Sequence, residues 1–304
     1  MDLYAADLEA DGKRTAKEVR RITARDIPEH LLARPARLID RDTVLDILTP
    51  IAQRGAKVHA DNVRAYLRAA FEIGINAPTM TRWRGRAKAF DITANPVIGV
   101  RKSVSRKPRG QRALSPAEVR TLWTTDGLSP AMLLSLKFIL ATGQRVEEVL
   151  GATWAEFDLS ERLWTIPGAR RKTRNKTDEP HIVPLSDLHL SLLAEIRATS
   201  TGDYLFPDRT GEAPRRHDSL NASLRRWILA TGMPTFSPRD LRRTFKTLAG
   251  TLGIALELRN RLQGHALSDV GSVYYDRHDY LAEKREAMER WAEGLTTLLE
   301  TKAP

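Results

Sequence analysis

The chain of 304 residues has room for about two domains, and a hydrophobic fraction of 41% suffices for ordinary cores. It contains no cysteine, which excludes disulfides, thiolate zinc sites and cysteine nucleophiles. No apolar run approaches the ~18–20 residues that a bilayer span needs. Lys and Arg number 49 against 38 Asp and Glu, a net charge of +11, so the expected partner is a polyanion whose phosphates exchange counterions for basic side chains. The acidic start MDLYAADLEADG does not read as a signal peptide, and a soluble cytoplasmic protein is expected.

Residues 14–90 predict helix throughout. Leu31-Leu32, Leu38-Ile39, Val44-Leu45-Ile47-Leu48-Ile51 and Val63-Tyr66-Leu67-Ala70-Phe71 recur at spacings of three and four. Asp42 or Thr43 is the candidate cap of the third segment, and Pro50 its end. Residues 101–113, RKSVSRKPRGQRA, then crowd Arg101, Lys102, Arg106, Lys107, Arg109 and Arg112 into a stretch without an acid. This composition predicts a basic linker, either a solvated tether or an arm that follows a duplex.

A second domain starts at Ser115-Pro116-Ala117-Glu118, with a capping oxygen, a proline at the first helical position and a glutamate at the third. Ser129-Pro130 opens a helix with Met132, Leu133, Leu136, Ile139 and Leu140 on one face, and Gly143 closes it. A short helix carries Val146, Val149 and Leu150. The one strand pair predicted lies near 163–166 and 182–185, joined by the basic loop GARRKTRNKTDEP. Helices are expected again around 187–198, 217–230, 238–252, 255–263 and 279–299. The predicted class is mainly α: a helical bundle in residues 1–100, a linker at 101–113, and over 114–304 a mostly helical domain with a small antiparallel sheet.

Three segments carry candidate chemistry. In ATGQRVEEVLGATW, Arg145 and Glu148 are three apart and share a helix face, so the carboxylate can orient the guanidinium. In FSPRDLRRTFKTLAGTLG, Ser237 caps a helix whose first turn holds Arg239, Arg242 and Arg243. Cations there oppose the macrodipole, and a bound anion would relieve the conflict. In RNRLQGHALSDVGSVYYDRHDYL, His265 follows Gly264 at a helix end, and Tyr274 and Tyr275 come ten residues later.

Together these segments resemble the tyrosine recombinase, or phage integrase, family. TGQRVEEVL resembles its first arginine box and PRDLRRT its second, usually written His-Asp-Leu-Arg-Arg-Thr. LQGH and YYDRHDYL resemble its Leu-Gly-His and nucleophile boxes. WTIPGARRKTRNKTDEPHIVPLS resembles the hairpin that carries the family's catalytic lysine. Residues 113–292 follow the pattern in order and spacing, and residues 1–100 resemble more loosely the core-binding domain that precedes it. The flavour is that of the integrases of genomic islands and temperate phages.

The resemblance implies the DNA breaking-rejoining enzyme fold and a site-specific recombinase for DNA integration or excision, free of metal, cofactor and ATP. Tyr275 would attack the scissile phosphate and form a 3′-phosphotyrosyl link. Arg145 and Arg242 would clamp the non-bridging oxygens, His265 would add a hydrogen bond, and Glu148 would support Arg145. A hairpin lysine would protonate the leaving 5′-oxygen. Lys176 is preferred, because the second half of the loop matches without gaps, and Lys172 is the alternative. Arg239 stands where the family has histidine; it cannot act as a base, so a phosphate contact is expected of it. Arg243 and the linker cations are expected DNA contacts. The implied partners are double-stranded attachment sites, a homotetramer on DNA (a monomer when free), and an accessory DNA-bending or directionality factor. A nucleoid-associated protein of bacterial or phage origin is implied, with no membrane.

Overall fold

The structure, a computed structural model, describes residues 1–13, 15–84, 90–104, 112–171, 179–265 and 278–301. They fall into two compact units, Met1–Arg109 and Gly110–Pro304.

The first unit is built from α1 (Asp2–Ala10), α2 (Thr15–Asp26), the single turn α3 (Glu29–Leu32), α4 (Arg41–Gln53) and α5 (Lys57–Asn76). Its core joins Ile22, Val44, Ile47, Ile51, Val63 and Leu67 with Val97 and Val100 from the segment beyond the helices. The helical pattern was expected over 14–90, but α1 lies before it and the chain turns after Asn76, where Pro78 has no N–H to extend the ladder. Two local expectations are corrected. The cap of α4 is Asp40, whose Oδ1 accepts the Thr43 N–H at 2.8 Å, not Asp42 or Thr43. Pro50 does not end the helix: burial of Ile51 in the core carries it on to Gln53.

This unit also buries the carboxylate of Asp26. Asp26 accepts from Arg25, Arg54 and His59, each at 2.8 Å, on a side chain with no exposed surface. Burial pulls its pKa up, but the hydrogen bonds from Arg25, His59 and Arg54 outweigh it and hold the carboxyl well below the ordinary range.

The second unit is organised on α7 (Pro130–Thr142), which is buried almost all round. The helices α6 (Pro116–Thr124), α9 (Asp187–Thr199) and α11 (Pro238–Thr251) pack against it. So does the last described helix, Leu281–Glu300, whose Trp291 Nε1 donates to the Ala141 carbonyl at 2.8 Å. The same carbonyl accepts from His189 of α9 at 3.0 Å. Met288, Trp291 and Leu295 of the last helix are buried in the core of the second unit.

The start of α6 forms the capping box expected at Ser115 and Glu118. The sheet has three strands, not two, in the order β1 (Phe157–Asp158), β2 (Leu163–Ile166), β3 (His181–Pro184), all antiparallel. β1 escaped the sequence reading because two residues are too few for an alternating pattern. Its Phe157 stacks on Trp164 with ring centroids 5.3 Å apart. The other α-helices among the described residues of this unit are α8 (Val146–Leu150), α10 (His217–Thr231) and α12 (Leu256–Leu262).

Candidate active site

Three helix ends meet at one place. α7 stops at Gly143, whose φ of +65° is the left-handed cap that glycine adopts without strain. The next residue, Gln144, is fully buried, and its Nε2 bridges the Thr142 carbonyl at 3.0 Å and the Leu262 carbonyl at 2.8 Å. That side chain ties the end of α7 to the end of α12. Gln263, also buried, donates from Nε2 to the Arg242 carbonyl at 2.8 Å and so adds the first turn of α11.

The arginines use the carbonyls these ends expose. Arg242 donates from Nη1 to the Gly143 carbonyl at 2.8 Å and from Nη2 to the Gln263 carbonyl. Helix C-termini carry orphan carbonyls and partial negative charge, which suits a buried cation. The conflict expected from arginines at the start of α11 is thus relieved within the fold for Arg242. Burial and the neighbouring Arg145 nevertheless push its pKa down to about 9, against the pull of Glu148.

Arg145 precedes α8. Glu148 accepts from its Nη1 at 2.8 Å and from its backbone N–H at 3.2 Å. Because the Glu148 side chain is only 2% exposed, this is a desolvated pair that fixes the fork, not a surface ion pair. The other tip, Nη2, lies 3.3 Å from the Gly264 carbonyl.

His265 follows at once. Its backbone N–H donates to the Asn260 carbonyl at 3.0 Å, and the Asn260 side chain accepts from Lys246 at 2.6 Å. Partial burial, then Arg242, Lys246 and Arg145, push the imidazole down to about 4. His265 is therefore neutral at pH 7, with one ring N–H to donate and one nitrogen free to accept. Arg145, Arg242, Glu148 and His265, predicted from separate segments, are brought together by the fold.

The other candidates are distributed differently. Arg239 is exposed on the first turn of α11, and no partner among the described residues engages it. Arg243 pairs with Asp240. Arg112 donates to Glu118 at 2.6 Å and to the Pro234 carbonyl at 3.0 Å. Arg101 and Lys102 are exposed in the first unit. Tyr275, Lys176, Lys172, Arg106, Lys107 and Arg109 lie outside the described residues.

Sequence reasoning missed four residues here: Gln144, Gln263, Arg171 and His181. His181 of β3 is buried and neutral, its pKa pushed down to about 3 by burial and then by Arg171, and its Nε2–H donates to the Leu262 carbonyl at 3.0 Å. A polar residue flanked by IVPLS was the available signal, since a histidine opening a buried strand needs a partner.

Chemically, the cluster offers planar guanidinium forks and a neutral imidazole in a half-buried place with one carboxylate. That combination suits an anion with several oxygens, such as a phosphodiester.

Comparison with known proteins agrees. Residues 113–280, more than half of the chain, match the phage integrase family. Over 261 residues the chain is 25% identical to the prophage integrase IntA of Escherichia coli K12, covering 84% of this chain and 59% of that protein. It is 30% identical over 179 residues to the integrase of Enterobacteria phage P4, covering 53% of this chain and 39% of that one. The chain thus spans about three fifths or less of these relatives. Its fold resembles that of lambda integrase solved as a dimer bound to a COC′ core site, with TM-score 0.65 and 18% identity over 91% of this chain and 97% of that one. A lambda integrase tetramer bound to a Holliday junction matches with TM-score 0.63 and 18% identity, covering 91% of this chain and 78% of that one. The chain belongs to the phage integrase family of tyrosine recombinases.

Proposed function

We propose that the chain is a site-specific DNA recombinase that cuts and rejoins attachment-site DNA through a phosphotyrosyl link, without metal or ATP. The observation that carries this reading is the desolvated Glu148–Arg145 pair beside the buried Arg242, with both guanidiniums converging on the carbonyls of the 263–264 turn.

The Tyr275 oxygen attacks the scissile phosphorus and the bond to the 5′-oxygen breaks. The 3′-phosphate stays on the tyrosine, and a 5′-hydroxyl from a second strand later reverses the step. Arg145 and Arg242 balance the charge that builds on the non-bridging oxygens. A hairpin lysine, Lys176 or its alternative Lys172, gives its proton to the departing 5′-oxygen. Arg239, permanently charged, binds phosphate and takes no proton. His265, held neutral by burial and its cationic neighbours, donates a ring N–H to a non-bridging oxygen, and the phenol proton passes to water or to its other nitrogen.

The first unit serves as a core-type DNA-binding domain, and the basic stretch 101–113 follows the duplex backbone. A homotetramer on DNA is the working assembly, in keeping with the lambda integrase tetramer on a Holliday junction. Among the described residues, no helix is long and apolar enough to cross a membrane.

The test is a nicked suicide duplex of candidate attachment-site DNA. The protein should form a covalent adduct in the presence of EDTA, and Tyr275→Phe should bind the duplex and form none. An adduct that persists in Tyr275→Phe refutes the nucleophile, and one that EDTA abolishes refutes the metal-free step. Lys176→Ala and Lys172→Ala are separated by a 5′-phosphorothiolate, whose leaving group needs no proton and rescues only loss of the true acid.

A further inference from the structure

Two adjacent arginines leave β2 by way of the short helical turn Gly168–Arg170, and they are used in opposite ways. Arg170 has a carboxylate: it donates to Glu156 Oε2 at 2.6 Å and to the Glu148 carbonyl at 3.3 Å. Arg171 has none. Its Nη1 donates to the Glu179 carbonyl at 2.9 Å, and its Nη2 lies 3.4 Å from the Gly264 carbonyl. Its Nε is buried without a hydrogen-bond partner among the described residues.

The Gly264 carbonyl is also where Arg145 places its Nη2, at 3.3 Å. Two like-charged tips therefore converge on one neutral oxygen. The glycine allows this crowding: a Cβ at 264 would lie 3.2 Å from Arg171 Nη2 and 3.1 Å from the His181 ring. Among the described residues, charge does not balance at this oxygen. Arg145, Arg171 and Arg242 face Glu148 and, without an ion pair to it, Glu179, and both Glu148 oxygens are already taken by Arg145. Burial lowers the Arg171 pKa and Arg145 lowers it further, while Glu148 and Glu179 pull it back up. A guanidinium held half-buried on carbonyls beside another cation is stabilised by an anion that reaches both.

We propose that Arg171 is a further phosphate-contacting guanidinium of this site, beside Arg145, Arg242 and Arg239, sharing the scissile phosphate with Arg145. When the phosphate arrives, Arg171 exchanges its long contact to the Gly264 carbonyl for a charged oxygen. Nη1 stays on the Glu179 carbonyl and so keeps Arg171 tied to the segment that leads into β3.

This rests on the strand-transfer reading above, and charge neutralisation of the substrate tests it separately. Arg171→Ala, Arg171→Met and Arg145→Ala are compared on two suicide duplexes, one with the ordinary scissile phosphodiester and one with an uncharged methylphosphonate there. On the phosphodiester, loss of Arg171 should slow cleavage by about 10- to 100-fold, the range for a charged hydrogen bond. On the methylphosphonate most of that deficit should vanish, as it should for Arg145. A side chain that only staples the hairpin would show the same deficit on both substrates. An undiminished deficit on the neutral substrate, or none on the phosphodiester, overturns the proposal. If neither the Ala nor the Met variant folds, Arg171 is structural and the proposal falls. If the unaltered protein forms no adduct at all, the strand-transfer reading fails and takes this one with it. Relief at Arg145 without relief at Arg171 refutes only the latter.

Discussion

Gly143→Ala would test the joint on which the site is built. Gly143 has φ +65°, where an alanine costs ~1–2 kcal/mol. Its Cβ would stand 2.6 Å from both Cγ and Cδ1 of Phe245, a ring that is itself fully buried and packed edge-on against Trp291 at 5.0 Å. Phe245 has nowhere to go, so overpacking adds ~1–3 kcal/mol. The sum, about 2–5 kcal/mol, should lower the melting temperature of the second unit by roughly 10 °C, at ~2–4 °C per kcal/mol for a domain of this size. The clash share can be isolated. In a double-mutant cycle with Phe245→Leu, the smaller side chain should make Gly143→Ala cheaper by ~1–3 kcal/mol, whereas the backbone share should remain. Adduct formation should fall with it, because the carbonyl that holds Arg242 moves with the cap. A melting temperature within a degree of the unaltered protein, or strict additivity with Phe245→Leu, would refute the reasoning.

Acid should weaken the second unit before its carboxylates titrate. His181 and His189 are buried with pKa pushed down to about 3 and about 4, both by burial first. The unfolded chain therefore binds protons that the folded one does not. Their contribution is complete above ~6.5 and is lost as pH falls, so each costs about 2 kcal/mol at pH 5. Urea midpoints from pH 8 to pH 5 should fall, and His189→Gln should flatten the dependence. A flat wild-type profile would contradict the burial argument. In the first unit, Asp26→Asn keeps the shape but leaves Arg25, Arg54 and His59 around an uncharged amide. The cost should be about 2–3 kcal/mol, discounted because the arginines are half-exposed. An early urea transition of the first unit in the full chain would report it, and an unchanged midpoint would show that the carboxylate contributes nothing.

Much of the site was legible before any coordinates. Helix stops and caps are local chemistry, so Gly143, the Ser115 box and Ser237-Pro238 could be read directly, and with them the places of Arg145, Arg242 and His265 at helix ends. The Arg145–Glu148 pair was readable for the same reason, since three residues on a helix settle it. Where the pattern turns on one residue of register or is too short, sequence and structure differ, as at Asp40, Pro50 and the two-residue strand β1.

Sequence by itself determined the chain's class, its boxes and the candidate residues for phosphate, because each is written in a contiguous segment. Only tertiary structure decided what neutralises each of them. Arg242 turned out to rest on the carbonyls of two helices more than a hundred residues apart in sequence, and Arg170 on Glu156 while its neighbour Arg171 has carbonyls alone. Those pairings are long-range, and no local pattern encodes which of two adjacent arginines meets a carboxylate. The same physics that makes a helix end predictable from one glycine leaves the occupant of its carbonyls to the packing of the whole unit.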